Sequence, residues 1–116
     1  MSVGAKLQIK PGQSVAVFGQ PEGVDLELPE GVTDAAGAPD VAIGFASDSA
    51  AIEELHVVIA AAKADYLAWI AYPKNKQLGT DLNRDKLAAL MAGYDLQPVR
   101  QVSIDPVWSA LRFRPA

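Results

Sequence analysis

The chain has no cysteine and a single histidine among its 116 residues. The first absence excludes a disulfide framework, a thiol nucleophile and a thiolate metal site, and leaves the redox compartment open. The second removes most routes to histidine-based acid–base chemistry. No apolar run approaches the ~20 residues of a membrane-spanning helix, and no basic-then-apolar start of the signal-peptide type is visible. The expectation is a cytoplasmic protein with no membrane partner. Positive charge is also scarce. The formal net charge is −4, which speaks against a nucleic-acid partner held through its phosphates.

What is present fits one α/β domain over residues 1–116, long enough to bury an independent core. The charge is uneven. Residues 1–60 carry Lys6 and Lys10 against nine Asp and Glu, a net −7, whereas residues 61–116 carry a net +3. The plain reading is a solvated surface; the sharper one is an acidic flank and a basic flank able to steer a partner.

Residues 1–12 read as a flexible start followed by a turn at Lys10-Pro11-Gly12. Residues 15–18 are continuously apolar, as in a strand of a parallel sheet buried on both faces. The turn Gly19-Gln20-Pro21-Glu22-Gly23 follows, where a nucleotide-binding domain places its Gly-rich loop. Here the G-x-G-x-x-G pattern is absent, Pro21 removes a donor and Glu22 brings a negative charge to the place where an anion would bind. Residues 24–28 alternate with period two and predict a short edge strand; the rest of 21–39 reads as loop.

A second apolar strand spans residues 41–46, with Gly44 suggesting close approach by a covering helix. A helix from about 49 to 63 follows, with Ser47, Asp48 or Ser49 as cap and Ile52, Leu55, Ile59 and Ala62 on one face. Residues 66–72 form a third strand, parallel to the second through a right-handed crossover. A polar loop over 73–79 leads to a helix capped by Thr80 or Asp81 and ending near Ala92, with Gly93 just beyond it. Residues 98–104 and 108–114 make an antiparallel hairpin around Asp105-Pro106-Val107. The expected fold is a three-layer α/β domain with a mostly parallel sheet of about five strands and a C-terminal antiparallel hairpin.

This order resembles the second half of an adenosylmethionine-dependent methyltransferase fold. Residues 64–74 (Ala-Asp-Tyr-Leu-Ala-Trp-Ile-Ala-Tyr-Pro-Lys) resemble a late strand of that family's sheet, and residues 7–15 resemble the lead-in to its first strand. Tyr72-Pro73-Lys74, Thr80-Asp81-Leu82-Asn83-Arg84-Asp85 and the stretch from Asp105 to Arg114 resemble a family of small bacterial proteins of unknown function, which implies a fold and no activity. The methyltransferase family holds the ribose with an acidic residue at the end of its second strand. The 22 residues between Phe18 and Val41 are too few for the usual helix, strand, helix and strand. The resemblance therefore implies a reduced scaffold that has lost the adenosylmethionine site, with no cofactor expected.

Ligands of open α/β sheets bind beyond the carboxyl ends of the parallel strands. That rule gathers Gln20, Ser47, Asp48, Tyr72, Lys74 and the hairpin turn. Lys74, Lys76 and Arg84 at a helix start could hold an anion, and Trp108 is a large amphipathic side chain beside a turn. Lys74, Arg84 and Trp108 are thus the candidate ligand-binding residues. The alternatives are an ordinary ion-paired helix start and a tryptophan capping the core. Asp81 and Asp85, four apart on one helical face, could face a metal, but Arg84 beside them favours an ion-pair network. His56, read as mid-helix without a partner, and Trp69, inside a strand, are read as structural. No catalytic residue is assigned. The expected role is a non-enzymatic binding or interaction module for a protein or a small anionic ligand; a small enzyme or anion sensor at the strand ends is the alternative. A homodimer through the first-strand side, or a fold-back strand from residues 24–28, would protect the sheet edge.

Overall fold

A computed structural model describes residues 2–31, 33–34 and 39–116; the side chains at 33, 34, 75 and 76, Lys76 among them, lie outside the description. The strands are β1 (Ser14–Phe18), β2 (Thr33–Asp34), β3 (Val41–Phe45), β4 (Leu67–Pro73), β5 (Leu96–Ser103) and β6 (Trp108–Pro115). They form one sheet in the order β2-β1-β3-β4-β6-β5. The pairings β2–β1, β1–β3 and β3–β4 are parallel; β4–β6 and β6–β5 are antiparallel. The sheet is therefore mixed, with six strands among the described residues. From β4 the chain passes to the outer edge as β5, then turns back as β6 into the slot beside β4.

The central strands are apolar on both faces because both faces are covered. On one side lie α2 (His56–Lys63) and α3 (Arg84–Ala92). Their Val58, Ile59, Leu87 and Met91 pack with Ala42, Ile70, Leu111 and Phe113 of the sheet. Gly44 is the point of closest approach, since a Cβ there would lie 2.8 Å from both terminal carbons of Leu55 and 3.1 Å from Val58. On the other side Ile43, Phe45, Trp69 and Trp108 meet Val3, Leu7, Ile9 and Leu26. This second cover is one helical turn, α1 (Val3–Lys6), and irregular chain rather than a layer of helices.

The N-terminal stretch is thus core, not a flexible start. Leu7 is fully buried, and its carbonyl accepts the Trp69 indole N–H at 3.0 Å. The Glu27 carboxylate accepts the Val3 N–H at 2.8 Å, which ties α1 to the chain after β1. Glu27 itself lies in the left-handed region at φ 49°, with its own N–H donated to the Asp25 carboxylate at 2.8 Å. Residues 24–28 are accordingly not a strand. Leu26 turns inward and is buried, while the strand beside β1 is β2, further along.

Other boundaries also moved. The helix expected from 49 to 63 is broken at Leu55, whose φ −95°, ψ 41° lies outside the helical region. A 3-10 turn (Ala50–Glu54) precedes α2, and His56 is the first residue of α2 and exposed, not mid-helix. The expected loop over 73–79 contains a 3-10 turn at Lys74–Gly79. Helix α3 is capped by Asn83, whose side chain accepts the Lys86 N–H at 2.8 Å, and not by Thr80 or Asp81. Gly93 keeps φ −64°, and Asp95 takes the left-handed position instead.

Candidate functional site

The carboxyl ends of β1, β3, β4 and β5 and the start of β6 meet at one edge of the sheet. Each loop leaving that edge is tied down by its own side chains. After β1, Gly19 takes φ +70°, and a Cβ there would lie 3.0 Å from the Phe45 carbonyl oxygen. Glycine is required by both the backbone and the neighbour. Gln20 then closes the loop on itself, donating to the Val24 carbonyl at 2.8 Å. No helix follows: residues 19–31 are turns and irregular chain.

After β3, Ser47 and Asp48 are exposed. Asp48 accepts the Ala51 N–H at 3.0 Å, and so starts the 3-10 turn. Ser49 makes no cap. Its N–H at 2.8 Å and its hydroxyl both donate to Asp81, and Lys86 Nζ lies 2.9 Å from the same carboxylate. Hydrogen bonds from the Ser49 hydroxyl and Lys86, then from the Ser49 backbone, hold Asp81 well below the usual carboxylate range. Asp81 is therefore a charged clamp between the β3 loop and the lead-in to α3. Asp85 is exposed in the first turn of α3. No group of three or more acidic or histidine side chains converges among the described residues.

After β4, the Lys74 N–H donates to the Val107 carbonyl at 2.6 Å, and its ammonium donates to the Ser103 hydroxyl. Gln77 reaches the Pro106 carbonyl at 3.0 Å. The turn after β4 is thereby stitched to the β5–β6 turn, where the Asp105 carboxylate accepts the Val107 and Trp108 N–H groups at 2.8 and 2.7 Å.

The three candidate residues stand in different surroundings. Lys74 is half-buried and engaged by Ser103. Arg84 opens α3, exposed and without an ion pair among the described residues. Trp108 is buried, its ring edge-on to Phe45 at 5.2 Å between centroids and 78° between planes. Trp108 packs on the α1 side of the sheet and α3 covers the opposite side, so the tryptophan and Arg84 belong to different faces. Tyr72 is buried too, its hydroxyl accepting from Gln101 at 3.2 Å. Lys86 is only five positions from Asp81, but Ser49 is 32 positions away, and no local pattern pairs it with that carboxylate.

The architecture defines a methyltransferase-like α/β fold. A crystal structure of the ribosomal protein L11 methylase from Lactobacillus delbrueckii subsp. bulgaricus matches 98% of this chain and 75% of its own, with a TM-score of 0.53 and 13% identity. At that identity the likeness shows the fold alone. No family model matches the chain, and no curated protein matches it in sequence. No helix among the described residues is long and apolar enough to cross a membrane.

Proposed function

We propose that this chain is a binding module built on a methyltransferase-like scaffold whose adenosylmethionine corner has been lost. The observation that carries the reading is the chain after β1. An adenosyl or phosphate loop works by presenting the free N–H groups of a helix N-terminus to the ligand. Here β1 runs into a self-closed turn and irregular chain whose Leu26 is committed to the core. Pro21 supplies no N–H, and Glu22 adds a repelling charge. The residues present do not fit the cofactor.

One expectation is revised. A second strand does survive beside β1, in two residues, and it ends in an acidic residue, Asp34. An acidic residue at that place in the sheet, without a loop for the rest of the cofactor, does not restore the site.

The ligand side of the proposal is the strand-end edge, where Lys74 and Arg84 bring positive charge and an anionic small molecule or acidic protein segment is the fitting partner. Thermal unfolding against a panel of adenosyl compounds, nucleotides and small organic anions tests it. A true ligand at 100 times its dissociation constant raises stability by about 2.7 kcal/mol. Stabilisation by anions and none by adenosyl compounds is expected. Stabilisation by adenosylmethionine, or methyl transfer from it, would overturn the proposal.

A further inference from the structure

The basic excess of the second half of the chain has a definite location. Lys86 is paired with Asp81 and Arg114 with Asp65, the latter through two bonds of 2.8 and 2.9 Å. Strands β5 and β6 contain Arg100, Arg112 and Arg114 and no acidic residue. Arg100 and Arg112 are direct partners across the β5–β6 ladder. Directly opposed residues on one sheet face have Cβ atoms about 4.5–5.5 Å apart, and like charges so placed repel.

Asp65, whose carboxylate is bonded to Arg114, also feels the charge of Arg112, so neither Arg100 nor Arg112 has a hydrogen-bonded acid of its own among the described residues. Arg112 donates one bond, from Nη1 to the Gln8 side chain at 3.1 Å, and its Nε is buried without a partner. Arg100 is exposed and has no ion pair or side-chain hydrogen bond among the described residues. Protection of the sheet edge accounts for one charge on β5. Pro98 and the irregularity between Pro98 and Arg100 already serve that purpose, and edge protection gives no reason for a second arginine facing the first.

We propose that Arg100 and Arg112, bordered by Gln8, form a binding site for a phosphate-type oxyanion. Guanidinium forks recognise such groups through paired N–H donors. Two adjacent unit charges match the −1.5 to −2 charge of a phosphate group near neutral pH, whereas a carboxylate would leave one arginine uncompensated. The site is on the hairpin, apart from Lys74 and Arg84, and does not depend on the function proposed above.

Titration with inorganic phosphate, followed by amide chemical shifts at constant ionic strength in chloride, tests the site. Saturable shifts centred on Gln8, Arg100 and Arg112 are expected, with acetate at least tenfold weaker. Arg100→Gln, at an exposed position, should weaken phosphate binding tenfold or more. Arg100→Lys should weaken it too, because charge without the fork is not enough. Lys74→Gln and Arg84→Gln should leave it within twofold. In chloride alone Arg100→Gln should melt no lower than the parent, since it removes a repulsion. Shifts that never saturate, binding undiminished by Arg100→Gln, or shifts centred on Lys74 and Arg84 would overturn the proposal.

Discussion

Asp81 holds Ser49 by both its N–H and its hydroxyl, and so locks the loop after β3 to the lead-in of α3. The same carboxylate receives the Lys86 ammonium at 2.9 Å. These bonds need the ionised acid, and they depress its pKa below that of an unfolded aspartate. The stabilisation is therefore complete above the ordinary aspartate pKa of about 3.9 and is lost as pH falls through the lower folded value. Asp81→Asn should melt below the parent at pH 7, and the gap should close only as the pH drops below about 4. Melting curves across pH 2–7 check this. A gap that stays constant to pH 2 would assign the loss to shape rather than charge.

Gly4 lies in α1, where alanine is intrinsically better than glycine by about 1 kcal/mol. A Cβ at Gly4 would nevertheless sit 2.5 Å from the Glu27 carbonyl oxygen, a backbone atom. Gly4→Ala should therefore destabilise, by about 1–3 kcal/mol. Urea denaturation gives the sign. A stabilised variant would mean that α1 is not packed on the chain after β1.

The mass in solution should be that of the 12.2 kDa monomer, unchanged on concentration. A dimer across β1 would protect that edge by covering the strand, with Leu26 and Leu28 as the apolar side chains nearest to hand. Leu26 is already inside its own chain, and β2 pairs with Ser14 and Val15. Light scattering over a hundredfold concentration range measures this directly. A mass near twice the monomer would return the β1 edge to the role of an interface.

The strands at 15–18, 41–46 and 66–72 were legible because each is a short continuous apolar run, and such runs have few other uses. Gly44 was legible for the same reason, as a gap in one of them. What was not legible depends on distant partners. Asp81 looked like a helix cap and instead belongs to Ser49, which leaves capping to Asn83. Residues 24–28 alternate as a strand does, but Glu27 lies in the left-handed region and its carboxylate takes the distant Val3 N–H. The N-terminus held a signal that could have been read: Val3 and Leu7 are four apart, with Ile9 beyond them, and all three are buried. The candidate site was legible only as a list of residues near one edge. Which face Trp108 packs on follows from its place on β6, and β6 could be placed only once the hairpin was seen to insert beside β4.

The central claim is that the scaffold has kept the methyltransferase-like sheet and lost the means to hold adenosylmethionine. Isothermal titration of the chain with adenosylmethionine at millimolar concentration tests it most directly. The account predicts no saturable heat. A dissociation constant in the micromolar range would contradict it.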